Sequence, residues 1–155
     1  MTSRALGIVL VVAFSLRLGV GLSRSGLETS ADEAHWVRLA QHFTELGPLH
    51  PDTGTYRPPL YPLFLAFVFD AIGTDLEVVR VLQGLLSTIT CGLLFLIGRR
   101  VDGDRVGLIA AVLGGVYPLL VFFAGVLMVE TLLILLAVLS LYLILEFQCA
   151  PSFGR

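Results

Sequence analysis

Two adjacent acids, Asp32 and Glu33, follow the first apolar run of the chain and open an amphipathic segment. A carboxylate held near apolar walls can take a proton from a hydroxyl as a general base. The same acids also suit a plain helix start. Acids in a first turn interact well with the helix dipole, and Ser30 with Glu33 forms a capping-box pattern. A third acid, Glu130, falls near the outer end of a later apolar run, in Val129-Glu130-Thr131-Leu132. An ionisable group costs about 2.5–3.5 kcal/mol at the centre of a membrane helix and less toward its end. Glu130 therefore reads either as a helix-terminal acid among headgroups or as a second carboxylate facing the cavity of Asp32.

The basic counterpart is Arg57, in Thr55-Tyr56-Arg57-Pro58-Pro59-Leu60-Tyr61-Pro62. Three prolines in five positions impose an extended path. Arg57 is placed where the chain returns to the membrane surface, and its planar fork of donors suits a phosphate. It serves equally as an interfacial anchor, with Tyr56 and Tyr61 in an aromatic belt. Arg17 interrupts the first apolar run and must snorkel or find a partner, with Glu130 or Asp32 as options. Arg57, Tyr61 and Arg17 are the candidate substrate-binding residues. His35, His42 and His50 lack metal-ligand spacing, and Cys91 and Cys149 read as packing residues without a disulfide framework.

The elements that must position these groups are apolar helices. Of the 155 residues 56% are hydrophobic and only 14% charged, with a mean hydropathy of +0.90. A soluble domain carries about 25% charged residues, so the chain reads as an all-α integral membrane protein. A net charge of −2 gives no footprint for nucleic acid. Four apolar runs approach the length of a crossing: Leu6–Leu22, Val78–Gly98, Val106–Phe123 with Pro118 inside it, and Leu127–Leu145. The first lacks the cleavage site of a secretory signal and reads as a retained crossing. A fifth run, Pro59–Ile72, is short, about 21 Å as a helix, and suits a re-entrant or interfacial segment.

Charge sets the orientation. Arg99, Arg100 and Arg105 fall within seven residues between the second and third runs. Such a loop lies on the cytoplasmic side, and it shares that side with Arg4 only if Pro59–Ile72 does not cross. The expected arrangement is a single membrane domain over 1–155 in the cell membrane, with four crossings, both termini cytoplasmic, and one large outer loop over 23–75. Within that loop Trp36, Leu39, Ala40 and Phe43 recur at helical spacing, with His35, Arg38, His42 and Glu45 opposite. This is an amphipathic helix suited to the membrane interface, ended by Gly47-Pro48. The connector His50–Gly54 follows it.

In order, these features resemble the N-terminal part of the GT-C membrane glycosyltransferases, of the protein O-mannosyltransferase and aminoarabinose-transferase type. The resemblance rests on the late Arg17, Ala31-Asp32-Glu33-Ala34, Arg57-Pro58-Pro59-Leu60-Tyr61-Pro62, Arg80-Val81-Leu82-Gln83-Gly84, the Gly98-Arg99-Arg100 loop, Tyr117-Pro118 and Val129-Glu130-Thr131-Leu132. It implies sugar transfer from a polyprenyl-phosphate donor in the membrane lipid to an acceptor on the non-cytoplasmic side. Asp32 would be the catalytic base, with Glu33 completing the motif in a catalytic or structural capacity. Glu130 would orient acceptor or sugar, and Arg57 would steady the departing phosphate. No cofactor is implied beyond room for a divalent metal. Members of the family are several hundred residues long, so the chain reads as an N-terminal fragment of such an enzyme, with activity on its own in doubt. The competing reading is a small non-enzymatic multi-pass protein, an accessory or assembly partner. A transporter is disfavoured because the acids gather toward one face.

Overall fold

The computed structural model describes residues 2–47 and 57–149. Tyr56, His50 and the connector around it, Pro48, and residues 150–155 lie outside that description, as does the side chain of Cys149. Six helices follow in order: α1 (Thr2–Ser23), α2 (Ala31–Leu46), α3 (Leu60–Ile72), α4 (Leu76–Val116), α5 (Pro118–Gly125) and α6 (Glu130–Cys149). Three are long and apolar enough to cross a membrane: α1, α4, and α6 over Glu130–Gln148.

The longest, α4, would reach about 60 Å if straight, twice the hydrocarbon thickness. It does not run straight. Asp102 (φ −157°, ψ 50°) and Gly103 (φ 74°, ψ −174°) leave the helical region, and the chain doubles back there. Gly103 supplies the left-handed φ that other residues avoid. The two arms then touch through glycine: a Cβ on Gly107 would lie 2.7 Å from the Phe95 carbonyl oxygen. The run expected as one crossing over Val106–Phe123 is therefore the second arm of α4 followed by α5. It is broken at Tyr117, whose extended backbone (φ −63°, ψ 118°) is what a following proline demands.

Contacts fix the two ends of the bundle. Leu6 and Leu10 of α1 face Phe95 and Leu96 of α4, and Arg100 pairs with Glu146 of α6 at 2.5 Å. The start of α1, the Arg99–Arg105 turn and the end of α6 thus share one end. At the other end Gly21 of α1 lies against Arg80 and Gly125. A hairpin of α2 and α3 covers this second end. Trp36, Leu39, Ala40 and Phe43 are all buried, and His35, Arg38, His42 and Glu45 are all exposed, as the periodicity predicts. What covers the apolar face is Tyr61, Leu65, Val68 and Phe69 of α3, with Val79 and Leu127 beneath. The predicted capping box is present: Glu33 N–H donates to Ser30 Oγ at 3.3 Å, and Ser30 N–H to Glu33 Oε2 at 2.9 Å. At the far end of α2, Gly47 adopts φ 83° and donates its N–H to the Phe43 carbonyl.

Candidate active site

The covered end carries most of the residues singled out from the sequence, in two layers. The outer layer is a rim. Arg57 donates to Asp32 Oδ1 at 2.6 Å, with 35% and 54% of the two side chains exposed. The guanidinium also lies over the Trp36 ring, 4.7 Å from its centroid, an attraction to the aromatic face that orients its plane. Trp36 in turn meets Tyr61 edge-on, with centroids 5.3 Å apart. The pairing of base candidate and cation candidate comes from two chain segments 25 residues apart. Asp32 is on the first turn of α2, and Arg57 directly precedes the prolines that start α3.

The inner layer is a floor, and it is buried. Tyr61 is completely covered and donates its hydroxyl to Gln83 Oε1 at 3.1 Å. Burial raises its pKa far above the phenol range, and the charges of Glu33 and Glu130 push the same way, so Tyr61 is a donor and stays one. Gln83 uses its other end to donate to the Val126 carbonyl at 2.9 Å. Glu33, 2% exposed, accepts the Leu127 N–H at 3.0 Å on the oxygen not used in the capping box. Burial works to raise the Glu33 pKa, but the N–H donors of Leu127 and Ser30, the Ser30 hydroxyl and the charge of Arg24 outweigh it. The net direction is down, and Glu33 is a carboxylate at neutral pH. These bonds serve the non-helical turn between α5 and α6, whose backbone has no helical partners. Thr131 adds a bond to the Phe123 carbonyl at 2.9 Å. Glu130 opens α6 just beyond the turn. It is half-buried, with Oε2 enclosed and unpartnered among the described residues.

Arg17 belongs to neither layer. It is 1% exposed in the middle of the bundle and bonds neither Asp32 nor Glu130. Its Nε donates to Ser87 Oγ at 2.7 Å, Nη1 to the Ala13 and Gly115 carbonyls at 2.9 Å, and Nη2 to the Gly114 carbonyl at 3.0 Å and to Cys91 Sγ at 3.3 Å. A guanidinium has five N–H donors, and all five are used. The Gly114 and Gly115 carbonyls are those stranded when the helix stops before Pro118, which has no N–H to offer. The late arginine of α1 is thus matched to the proline break of the third apolar run.

Sequence reasoning assigned no role to Arg80 or Gln83. Arg80 is 8% exposed at the covered end, and its Nε is enclosed without a partner. No hydrogen bond or ion pair of Arg80 occurs among the described residues. It lines a narrow cleft between α1 and α4 with Ser25, Leu22 and Glu77. One helical turn on, the same face of α4 continues as an apolar groove of about 480 Å³, lined by Leu85, Ile89, Leu93 and Leu96 with Leu6 and Leu10 of α1. An arginine two residues into the run Val78–Gly98 was the available signal. Among the described residues no three His, Cys, Asp or Glu side chains are grouped to hold a metal.

A family model described as dolichyl-phosphate-mannose-protein mannosyltransferase matches residues 56–152. The matched span includes Arg57, Tyr61, Arg80, Gln83 and Glu130, and leaves out Asp32 and Glu33. No curated protein and no solved structure matches the chain.

Proposed function

Because this chain belongs to the dolichyl-phosphate-mannose-protein mannosyltransferase family, we propose that it takes part in sugar transfer from a polyprenyl-phosphate donor to an acceptor hydroxyl at the covered end of the bundle. The observation that carries the reading is the Asp32–Arg57 pair on Trp36. It sets a carboxylate and a guanidinium side by side on an accessible rim, the two charges that glycosyl transfer from a phosphate needs. The acceptor oxygen attacks the anomeric carbon and its proton passes to Asp32. The bond from that carbon to the phosphate oxygen breaks, and the phosphate leaves with the electron pair. Arg57 meets the developing phosphate charge. The Asp32–Arg57 ion pair by itself contributes at most about 1 kcal/mol, so little of it is forgone when a phosphate engages Arg57 and a proton passes to Asp32.

Arg80 is the second cation available to the donor phosphate. Its missing acceptor and the apolar groove that follows it on α1 and α4 suit a phosphate head with an isoprenoid tail. Glu130, with an Oε2 unpartnered among the described residues, is the residue we assign to holding acceptor or sugar. Arg17, with every donor spent on the bundle, has a structural role and no substrate contact. The covered end faces the non-cytoplasmic side, as the arginine-rich turn at the opposite end favours, and the cell membrane is the site of action.

The test is transfer of radiolabelled mannose from a short-chain polyprenyl-phosphate mannose to a serine/threonine peptide by membranes containing the full chain. Asp32→Asn is expected to lower turnover at least a hundredfold, and Arg57→Gln to lower it less. Equal rates for wild type and Asp32→Asn would remove Asp32 from the base position. Absence of transfer by the wild type would leave the family membership standing without the activity.

A further inference from the structure

The rim residue Asp32 and the acid Glu130 belong to parts of the chain nearly a hundred residues apart. We infer that Glu33 is a positioning residue, one half of a two-pin clamp that fixes the turn carrying Glu130 against the helix carrying Asp32. The inference rests on the proposed function only for what the clamp is for; the clamp itself is a matter of bonds.

The turn between α5 and α6 starts with a Leu127 N–H that has no backbone acceptor among the described residues, next to a Val126 C=O that accepts only the Met128 N–H, at 2.9 Å, from the backbone. Val126 is extended (φ −110°, ψ 146°), so the helix has stopped, and Leu127 is wholly buried, away from water. Orphan backbone groups of this kind must find partners. Glu33 takes the Leu127 N–H from α2. Gln83 takes the Val126 C=O from α4, and Tyr61 of α3 fixes which way the Gln83 amide faces by donating to its oxygen. Two elements therefore grip the single peptide group between Val126 and Leu127, one at its N–H and one at its C=O, and a third, α3, acts through Gln83. Both oxygens of Glu33 are occupied, one by Leu127 and one by Ser30, so neither is directed at a reacting atom. Asp32 precedes Glu33 by one residue and Glu130 follows Leu127 by three. The clamp thus holds the two candidate site acids to one another through a bond that touches neither.

Geometry also says which replacements fail. Glutamine at position 33 keeps one acceptor oxygen and turns a donor NH2 toward the other N–H. Aspartate keeps the charge but is one methylene short of spanning both donors.

Hydrogen–deuterium exchange of the full chain in lipid nanodiscs reads the clamp without any need for activity. Glu33→Gln is expected to speed exchange in the segment 126–131 about tenfold or more and leave the Arg99–Arg105 turn unchanged. Glu33→Asp gives a smaller increase at the same place and serves if Glu33→Gln does not fold. Unchanged exchange at 126–131 in a folded variant overturns the clamp. In the transfer assay, Glu33→Gln lowers kcat with little change in donor KM, and the loss shrinks when Glu130→Gln is already present, since the two then act on one unit. Losses that simply add would show that Glu33 does not act through Glu130. A wild type without transfer but with the expected exchange pattern would reject the activity and keep the clamp.

Discussion

Arg17 and Arg80 lie on facing helices, are 1% and 8% exposed, and have opposite chemistry. Arg17 spends all five donors on the bundle, two of them on the carbonyls left by Pro118. Arg80 has no acceptor among the described residues, and its Nε is enclosed without one. A buried charge in apolar surroundings is expensive unless paired. The first region therefore shows a cost already offset by backbone that would otherwise be stranded. The second shows a cost waiting for something to offset it. The difference separates an arginine kept for the fold from an arginine available to a ligand, although both look alike as interruptions of an apolar run.

The largest expected effect lies with Arg17. Arg17→Met leaves the Gly114 and Gly115 carbonyls unpaired inside the bundle, at about 1–3 kcal/mol each, a large part of the stability of a small domain. The variant should lose its monodisperse peak on gel filtration in mild detergent, or unfold many degrees earlier. Arg80→Met removes an unpaired charge instead. Its thermal midpoint should be unchanged or raised by a few degrees, while the KM for the polyprenyl-phosphate donor rises tenfold or more. Midpoints that move the other way round would break the contrast between the two arginines.

Much of this was legible in the residues, and the reasons differ by element. The apolar face of α2, its capping box and the glycine that ends it were readable because each is a local pattern with one physical outcome. Family membership was readable from an ordered set of short motifs, and the match over 56–152 bears it out. The doubling of α4 was half readable: the charged turn gave its place, while the glycine contact between the arms depends on which faces meet. Arg17 shows where sequence stops. Its need for a partner was evident, but carboxylates were the only partners a charge count could suggest. The acceptors are peptide carbonyls nearly a hundred residues away, freed by Pro118. Arg80 stands in a motif of the resemblance, but its role is not legible there, for the converse reason. A missing partner is a property of packing, and no spacing announces it.

The smallest effect sharpens the comparison from the other end of the bundle. Arg100 is a third arginine, its Nη2 donating to both carboxylate oxygens of Glu146 at 2.5 and 2.6 Å, but its side chain is 44% exposed and that of Glu146 34%. Water already solvates both partners, so the pair gains little over separate ions, and ionic strength screens what it gains. Glu146→Gln should leave the thermal midpoint and donor KM within error of wild type at physiological salt, with a slight fall in midpoint only at low salt. A loss comparable to that of Arg17→Met would mean that bonding geometry, and not burial, decides what an arginine is worth in this fold. The distinction between Arg17 and Arg80 would then have to be drawn on bond count alone.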